Sequence, residues 1–281
     1  IPGIAMDSEG KKQAFIQWLD GKKLSAEYFK FKSEDFVANT KIFEVSIAQN
    51  HFSSSQITLA IPELKGSIRF NNQVPWPSSW YSPGIMGPFA FVPFMECYHG
   101  VLSMDHSIEG ELEIAGEIID FSGGRGYIEK DWGHSFPSAY IWMQSNHFSK
   151  KGVSLKASVA KIPWLKSSFV GFIAGLYFEG QLIQFTTYNN SRLIRSFVDD
   201  KKVEIVLSNR KYTLALNIKR DDATELASPI QGFMDGRISE SMTSSIHVKL
   251  INRKDTKILF DDVGRNLALE VAGNIPEILI D

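Results

Sequence analysis

Cysteine is nearly absent from this chain: its 281 residues contain one, Cys97. That excludes an intrachain disulfide framework and fits a reducing compartment. Long apolar runs are missing as well. None approaches the roughly 20 residues that a membrane-spanning helix needs, and no signal peptide is visible, so the expected location is cytoplasmic. Neither sign of charge dominates: 30 basic residues face 32 acidic ones, for a net charge of −2. With no basic run and no known module, nucleic acid is not an expected partner. Helical periodicity is scarce, and only Asp221–Leu226 and Gly264–Glu270 read as short helical turns. There is no serine hydrolase elbow and no phosphate-binding loop. The GGRG of Gly123–Gly126 precedes a strand and opens no helix, so it fails as a dinucleotide fingerprint.

What the sequence does contain is a long series of short, alternating, β-rich segments. Gln13–Leu19, Ala26–Phe31, Ile42–Ala48, Gln56–Ile61 and Gly66–Phe70 form the first group. Pro75–Gly87 is too rich in proline for a central strand. Ala90–Gly100 and Ser107–Ala115 read as further strands. The second half repeats the style from Ser154 to Asp262, with tight turns at Glu179-Gly180 and Asn209-Arg210. The expected fold class is therefore all-β, with antiparallel strands. At 43% hydrophobic and 22% charged residues, the composition is that of an ordinary globular protein. Phe121–Arg125, with its paired glycines, is the expected hinge. It divides the chain into a 1–122 unit and a 123–281 unit.

The stretch Gly123–Phe148, GGRGYIEKDWGHSFPSAYIWMQSNHF, carries the most chemistry. It reads as two strands joined by a Gly/Pro-broken connection. In the first, Tyr127, Glu129 and Asp131 share a face, with Ile128, Lys130 and Trp132 on the other. In the second, Trp142, Gln144, Asn146 and Phe148 share a face, opposite Ile141, Met143, Ser145 and His147. A half-buried hairpin solvates its polar face. Here both faces of both strands carry large apolar groups. The carboxylates and amides are therefore expected to converge, from adjacent antiparallel strands, on the lining of a ligand cavity inside a barrel.

Glu129 and Asp131 are the candidate acids. Burial among aromatic groups disfavours the ionised form, and like-charge repulsion between i, i+2 neighbours raises one pKa further. Such a group stays protonated near neutrality and acts as a general acid. The competing reading is a structural ion pair, with Arg125 as one partner. Tyr127, Trp132 and Trp142 offer faces that stabilise a carbocation, or they simply fill the interior. In the segment before Gly100, Glu96 and Tyr98 share one face while Met95, Cys97 and His99 share the other. Glu96 and His99 join the ligand-contacting candidates with Gln144 and Asn146. Glu96, His99, Asp105 and His106 show no standard metal-ligand spacing, so no metal is expected. Cys97, within an apolar run, reads as packing rather than a nucleophile.

The segment GYIEKDWG (Gly126–Gly133) followed by SFPSAYIWMQSNHF (Ser135–Phe148) resembles the signature of the tocopherol cyclase-like family. A second block, Met86–His106, MGPFAFVPFMECYHGVLSMDH, resembles that family's other long motif. The family belongs to the lipocalin-like (calycin) group, alongside carotenoid 1,2-hydratases and some Diels–Alder cyclases. The resemblance implies two consecutive lipocalin-like antiparallel β-barrel or half-barrel domains. It also implies an aromatic-rich N-terminal strand that this chain lacks, which would leave the first barrel with an open edge. The implied activity is protonation of a prenyl double bond followed by closure of a chromanol ring, with Asp131 or Glu129 as acid and no cofactor. The alternative is a non-catalytic carrier of a hydrophobic small molecule. Either way the expected partner is an apolar small-molecule ligand, collected through transient association with a membrane. Oligomeric state is left open.

Overall fold

Alternation of apolar and polar residues, broken every few residues by turn signals, produces strands and no α-helix among the described residues. The computed structural model describes residues 1–230 and 233–280, with the backbone alone at Ile230. The strands are β1 (Pro2–Met6), β2 (Lys12–Asp20), β3 (Ser25–Phe31), β4 (Phe36–Ala38), β5 (Glu44–Ile47), β6 (Asn50–Ser53) and β7 (Gln56–Ile61). There follow β8 (Leu64–Asn71), β9 (Cys97–Ile114), β10 (Glu117–Asp120), β11 (Arg125–Gly133), β12 (Ala139–Ser145), β13 (Ser154–Trp164) and β14 (Ser167–Phe178). The last are β15 (Gln181–Thr186), β16 (Arg192–Val198), β17 (Lys202–Ser208), β18 (Tyr212–Lys219), β19 (Thr224–Ile230), β20 (Phe233–Asn252) and β21 (Ile258–Gly273).

They form three sheets. β1, β2 and β3 make a small one; a second runs β10-β9-β8-β7-β6-β5-β4, with β11 added to β9. The third runs β15-β14-β13-β12-β21-β20-β18-β17-β16, with β19 added to β20. Every strand pair is antiparallel. The third sheet curls until residues near its two ends, such as Leu176 on β14 and Ile205 on β17, meet Ile141 and Met143 of β12 in one apolar cluster. It is a curled half-barrel and does not close by strand pairing, so the all-β expectation holds in its half-barrel form. In the N-terminal half, Ala14 and Ile16 of β2 close over Ile47, Phe52, Ile68 and Leu112 of the eight-stranded sheet.

Three local expectations differ from the structure. Of the two stretches read as helical turns, Gly264–Glu270 lies wholly in β21 and the second half of Asp221–Leu226 lies in β19, because both pair with β20 in one sheet. The 3₁₀ turns sit instead at Ser33–Asp35, Gly87–Phe91 and Ile275–Ile278. Ala90–Gly100 becomes strand only from Cys97, since Pro93 has no N–H to give a ladder. Finally, the chain does not change sheets at the paired glycines. β11 lies beyond them and still pairs with β9, with Asp131 opposite His99. The change of sheet falls at 134–138, just after Gly133. There φ is +152° and a Cβ would lie 2.1 Å from the Glu96 carbonyl oxygen, so only glycine fits.

Candidate functional site

β12 is central to the third sheet, with β13 and β21 paired along its two edges, and its two faces look onto different surroundings. Ile141 and Met143 point into the apolar interior of the curl. Trp142 and Gln144 point the other way, toward β9 and β11. Between these surfaces lies a cavity of about 570 Å³, lined by Tyr127, Glu129 and Asp131 from β11, His99 from β9, and Trp142 and Gln144 from β12. That is ample for a drug-sized molecule. Most of its wall is apolar, including Met86, Met95, Phe136, Ile162 and Phe169.

This corrects the expected setting in two ways. The two strands are not neighbours in one sheet but face each other from different sheets. The cavity lies outside the curl of the third sheet rather than in a barrel lumen, which is filled with side chains. The face parity read from the sequence holds within the two strands, because period-2 alternation is local; past the end of β12 at Ser145 it breaks, and Phe148 packs on the apolar interior while His147 lines the cavity.

The centre of the site is Glu129. Its side chain is 8% exposed. It accepts hydrogen bonds from the Tyr127 hydroxyl and from Trp142 Nε1 at 3.1 Å. His99 Nδ1 lies 3.0 Å from Glu129 Oε1 and also contacts Asp131 Oδ1. It sits between the two carboxylates without a well-aligned hydrogen bond to either. Burial works to raise the Glu129 pKa. The charge of Lys156 and the donors on His99 and Tyr127 outweigh it and hold the group down at about 2. Asp131 goes the other way: burial and the Glu129 charge raise it, against the opposing effect of His99. Burial would lower His99, but the Asp131 charge and the two carboxylate contacts lift it to about 9. At neutral pH Glu129 is therefore an anion and His99 carries a proton, with the Asp131 carboxyl raised beside them. Asp131 keeps 40% of its side chain accessible while lining the cavity, so it is the carboxyl placed to reach a ligand.

A second group of carboxyls occupies the same wall. Direct cross-strand partners share a face, and Trp142 is opposite Glu270, which is opposite Glu240. All three line the cavity. Tyr140 donates to Glu270 Oε2 at 2.7 Å. Burial first, then mutual repulsion with Glu270, raises Glu240 to about 8. Burial, only partly offset by the Tyr140 hydrogen bond, raises Glu270 to about 7.

Beneath the wall, Lys156 is fully buried, opposite Gln144, and donates to Ser158 Oγ at 3.0 Å. It is the cation that biases Glu129. Gln144 Nε2 is buried without a hydrogen-bond partner among the described residues.

The other sequence candidates fall in different places. Asn146 lines the cavity but works structurally, donating to Gly126 O at 2.9 Å and to Asp105 Oδ1 at 3.4 Å. Asp105 is paired with Arg125, so Arg125 is not the partner of Glu129 or Asp131. Gly126 leaves room for the His106 ring, which a Cβ would meet at 2.1 Å. Trp132 and Glu96 do not line the cavity. Trp132 is 49% exposed on the outer face, stacked on Tyr98 at 5.5 Å. Alternation sends Trp132 to the far side of β11, and Glu96 precedes the first residue of β9. Cys97 does line the cavity, and Cys97, His99 and Asp131 bring three donor atoms within 4.8 Å, a set a divalent cation would accept. Burial, then the charges of Asp131 and Glu129, push the Cys97 thiol up, away from the thiolate.

Sequence reasoning missed Tyr140, Lys156, Glu240 and Glu270. A signal existed for two of them. Lys156 in VSLKASVA and Glu270 in LALEVAG are lone charges within apolar strands, which is anomalous for a position facing water. Glu240, in a run of serines, gave none.

The sequence profile of the tocopherol cyclase-like family matches residues 27–273. The chain is 28% identical over 111 residues to "Tocopherol cyclase, chloroplastic" of Zea mays, covering 37% of this chain and 23% of that protein. It is 27% identical over 111 residues to "Probable tocopherol cyclase, chloroplastic" of Oryza sativa subsp. japonica, with the same coverage. The match thus spans about a quarter of the length of these curated relatives. A crystal structure described as an AttH from Nitrosomonas europaea aligns with a TM-score of 0.52 at 14% identity, over 98% of this chain and 91% of that one. That likeness is one of fold.

Proposed function

The chain belongs to the tocopherol cyclase-like family, and we propose that it binds an isoprenoid or other apolar unsaturated ligand and protonates its double bond. The observation that carries this reading is Asp131: a carboxyl of raised pKa on an apolar cavity wall, beside an anion and a protonated imidazole. In the proposed reaction the Asp131 proton forms a C–H bond to the less substituted alkene carbon. The tertiary cation left behind lies against the faces of Tyr127 and Trp142. A phenolic oxygen of the same ligand closes a C–O bond to the cationic carbon and releases its proton to a carboxylate. Atoms and charge balance as an isomerisation, so the step calls for no redox cofactor. Glu129 stays ionised throughout and stabilises the positive charge as it develops.

The ligand reaches the cavity from a membrane in this reading. Phe89 and Phe169 of the cavity wall pack with Trp164, which packs with Phe94, 46% exposed. Phe91 and Leu165, 62% and 82% exposed, extend the apolar surface around this cluster. Such aromatic surfaces suit a headgroup boundary.

The test is turnover of a prenylated hydroquinone by wild type, Asp131→Asn and Glu129→Gln. Asp131→Asn should keep the fold and ligand affinity and lose about 10²–10⁴-fold in rate. Glu129→Gln should lose less and should shift the alkaline limb of the pH profile to lower pH, because the charge that raises Asp131 is gone. Equal rates in all three proteins would remove this pair as the acid. Tight binding of several prenyl substrates without product from wild type would make the protein a carrier.

A further inference from the structure

We propose that Glu240 and Glu270 form a proton-sharing carboxyl pair which, with Tyr140 and Gln144, receives a hydroxyl group of the cavity's ligand. This rests on the cavity being a ligand site and names the polar part of what it takes.

The two residues are direct partners on neighbouring antiparallel strands, so their Cβ atoms stand roughly 4.5–5.5 Å apart on one face. That face is the cavity wall. Glu240 is 8% exposed and has no hydrogen-bond partner among the described residues. Glu270 holds one, the Tyr140 hydroxyl at 2.7 Å. Two ionised carboxylates so close and so buried repel strongly, and no cation lies within salt-bridge distance of either among the described residues; the Ile1 ammonium on the same cavity wall acts on Glu240 only at longer range and donates to the Gln17 carbonyl. One shared proton relieves the repulsion. The pair then offers one O–H donor and free acceptor oxygens. Gln144 Nε2, 9% exposed as a residue, unpartnered and on the same wall, adds a second donor.

A buried donor and acceptor left empty are costly, and the group that satisfies both at once is a hydroxyl. A carbonyl or ether oxygen engages only the donors. A carboxylate or phosphate head meets repulsion. Glu270 is opposite Trp142, and Trp142 donates to Glu129. The bound hydroxyl thus lies across the indole from Asp131, with the apolar body of the ligand between. When the ring closes, the O–H bond breaks as the C–O bond forms, and the ionised member of the pair takes that proton.

The test compares three probes with one prenyl tail: a geranylgeranyl hydroquinone, its dimethyl ether and geranylgeranylamine. Affinities are measured by equilibrium dialysis for wild type, the double variant Glu240→Leu/Glu270→Leu, and Glu270→Gln. Wild type should prefer the hydroquinone over the ether by about 10-fold or more, the scale of one buried hydrogen bond. The double variant should bring that ratio near one by weakening the hydroquinone alone. Glu270→Gln, which keeps the shape and a donor, should retain most of it and should fold if the double variant does not. Equal affinity of wild type for hydroquinone and ether, or an ammonium head binding more tightly than the hydroxyl, overturns the proposal. So does an unchanged hydroquinone preference in a folded double variant. A hydroxyl preference without turnover would end the cyclase reading and leave this one standing; binding of neither probe ends both.

Discussion

Two groups of buried carboxyls share one cavity wall, on either side of Trp142, and they differ in how they hold protons. Glu129 is ionised, and the Glu240–Glu270 pair keeps a proton near neutrality. Burial is similar, so burial does not decide. The difference is what surrounds the oxygens. Glu129 has the Lys156 charge nearby, then His99 and the Tyr127 hydroxyl, with the Trp142 indole also donating. Glu270 has a single hydroxyl, and Glu240 has none among the described residues. Donors and a nearby cation repay the desolvation of a charge, and a second carboxyl adds to it. Asp131 lies between these extremes, beside both an anion and His99, which is why it can give up a proton and recover it.

Removing donors from Glu129 is the sharpest way to break this contrast. Tyr127→Phe and Trp142→Phe each delete one hydrogen bond to a buried anion, so each is expected to cost about 1.5–3 kcal/mol. The Glu129 pKa should climb toward that of Glu240. Chemical denaturation gives the stability, and carboxyl-carbon NMR gives the titration. A Glu129 that still titrates at low pH in the double variant would transfer the credit to Lys156.

A smaller effect separates the groups by pH. Glu240, Glu270 and His99 all have folded pKa values above their unfolded ones, so each binds protons more tightly when folded. Their contributions are fully present below the unfolded values. Those of Glu240 and Glu270 fade from about pH 4.5 up to about 8 and 7, and that of His99 from about 6.5 to 9. Glu129, depressed to about 2, contributes above 4.5 and loses its contribution as pH falls toward 2. Stability should therefore peak near pH 4.5 and decline above it, more steeply once His99 joins above about 6.5. Glu240→Gln should flatten the alkaline decline and leave the acid limb alone. An unchanged alkaline slope would mean that Glu240 ionises freely when folded.

The smallest expected change is at Cys97. It lines the cavity, but its thiol is held protonated. Cys97→Ser should cost about 1 kcal/mol and leave ligand binding intact. Loss of binding would point to the thiol, or to a cation held by Cys97, His99 and Asp131.

Much of the site was legible because strand alternation is a local rule. The shared face of Tyr127, Glu129 and Asp131, that of Trp142 and Gln144, and the separation of His99 from Glu96 all follow from counting by two. The same rule places Trp132 on the face opposite Asp131, where the structure has it, although an aromatic beside a carboxylate invited the other reading. Asn146 was placed correctly on the cavity, while its partners, the Gly126 carbonyl and Asp105, were not legible because they are brought near only by the packing of two sheets.

The amino-acid sequence by itself determined that the chain is β-rich, which residues share a face, and that β12 needed cover on both sides. Those properties come from bond geometry and from neighbours one or two residues apart. Only the tertiary structure decided what lies on each side of β12: an apolar interior behind it, and in front a cavity walled by a different sheet. It also set Glu270 against Trp142, Glu240 against Glu270 and Lys156 beneath Glu129. Charge states depend on donors and charges within a few ångströms, and those neighbours come from β9, β11, β13, β20 and β21, up to 141 positions apart in the chain between Glu129 and Glu270. No local rule of alternation reaches that far.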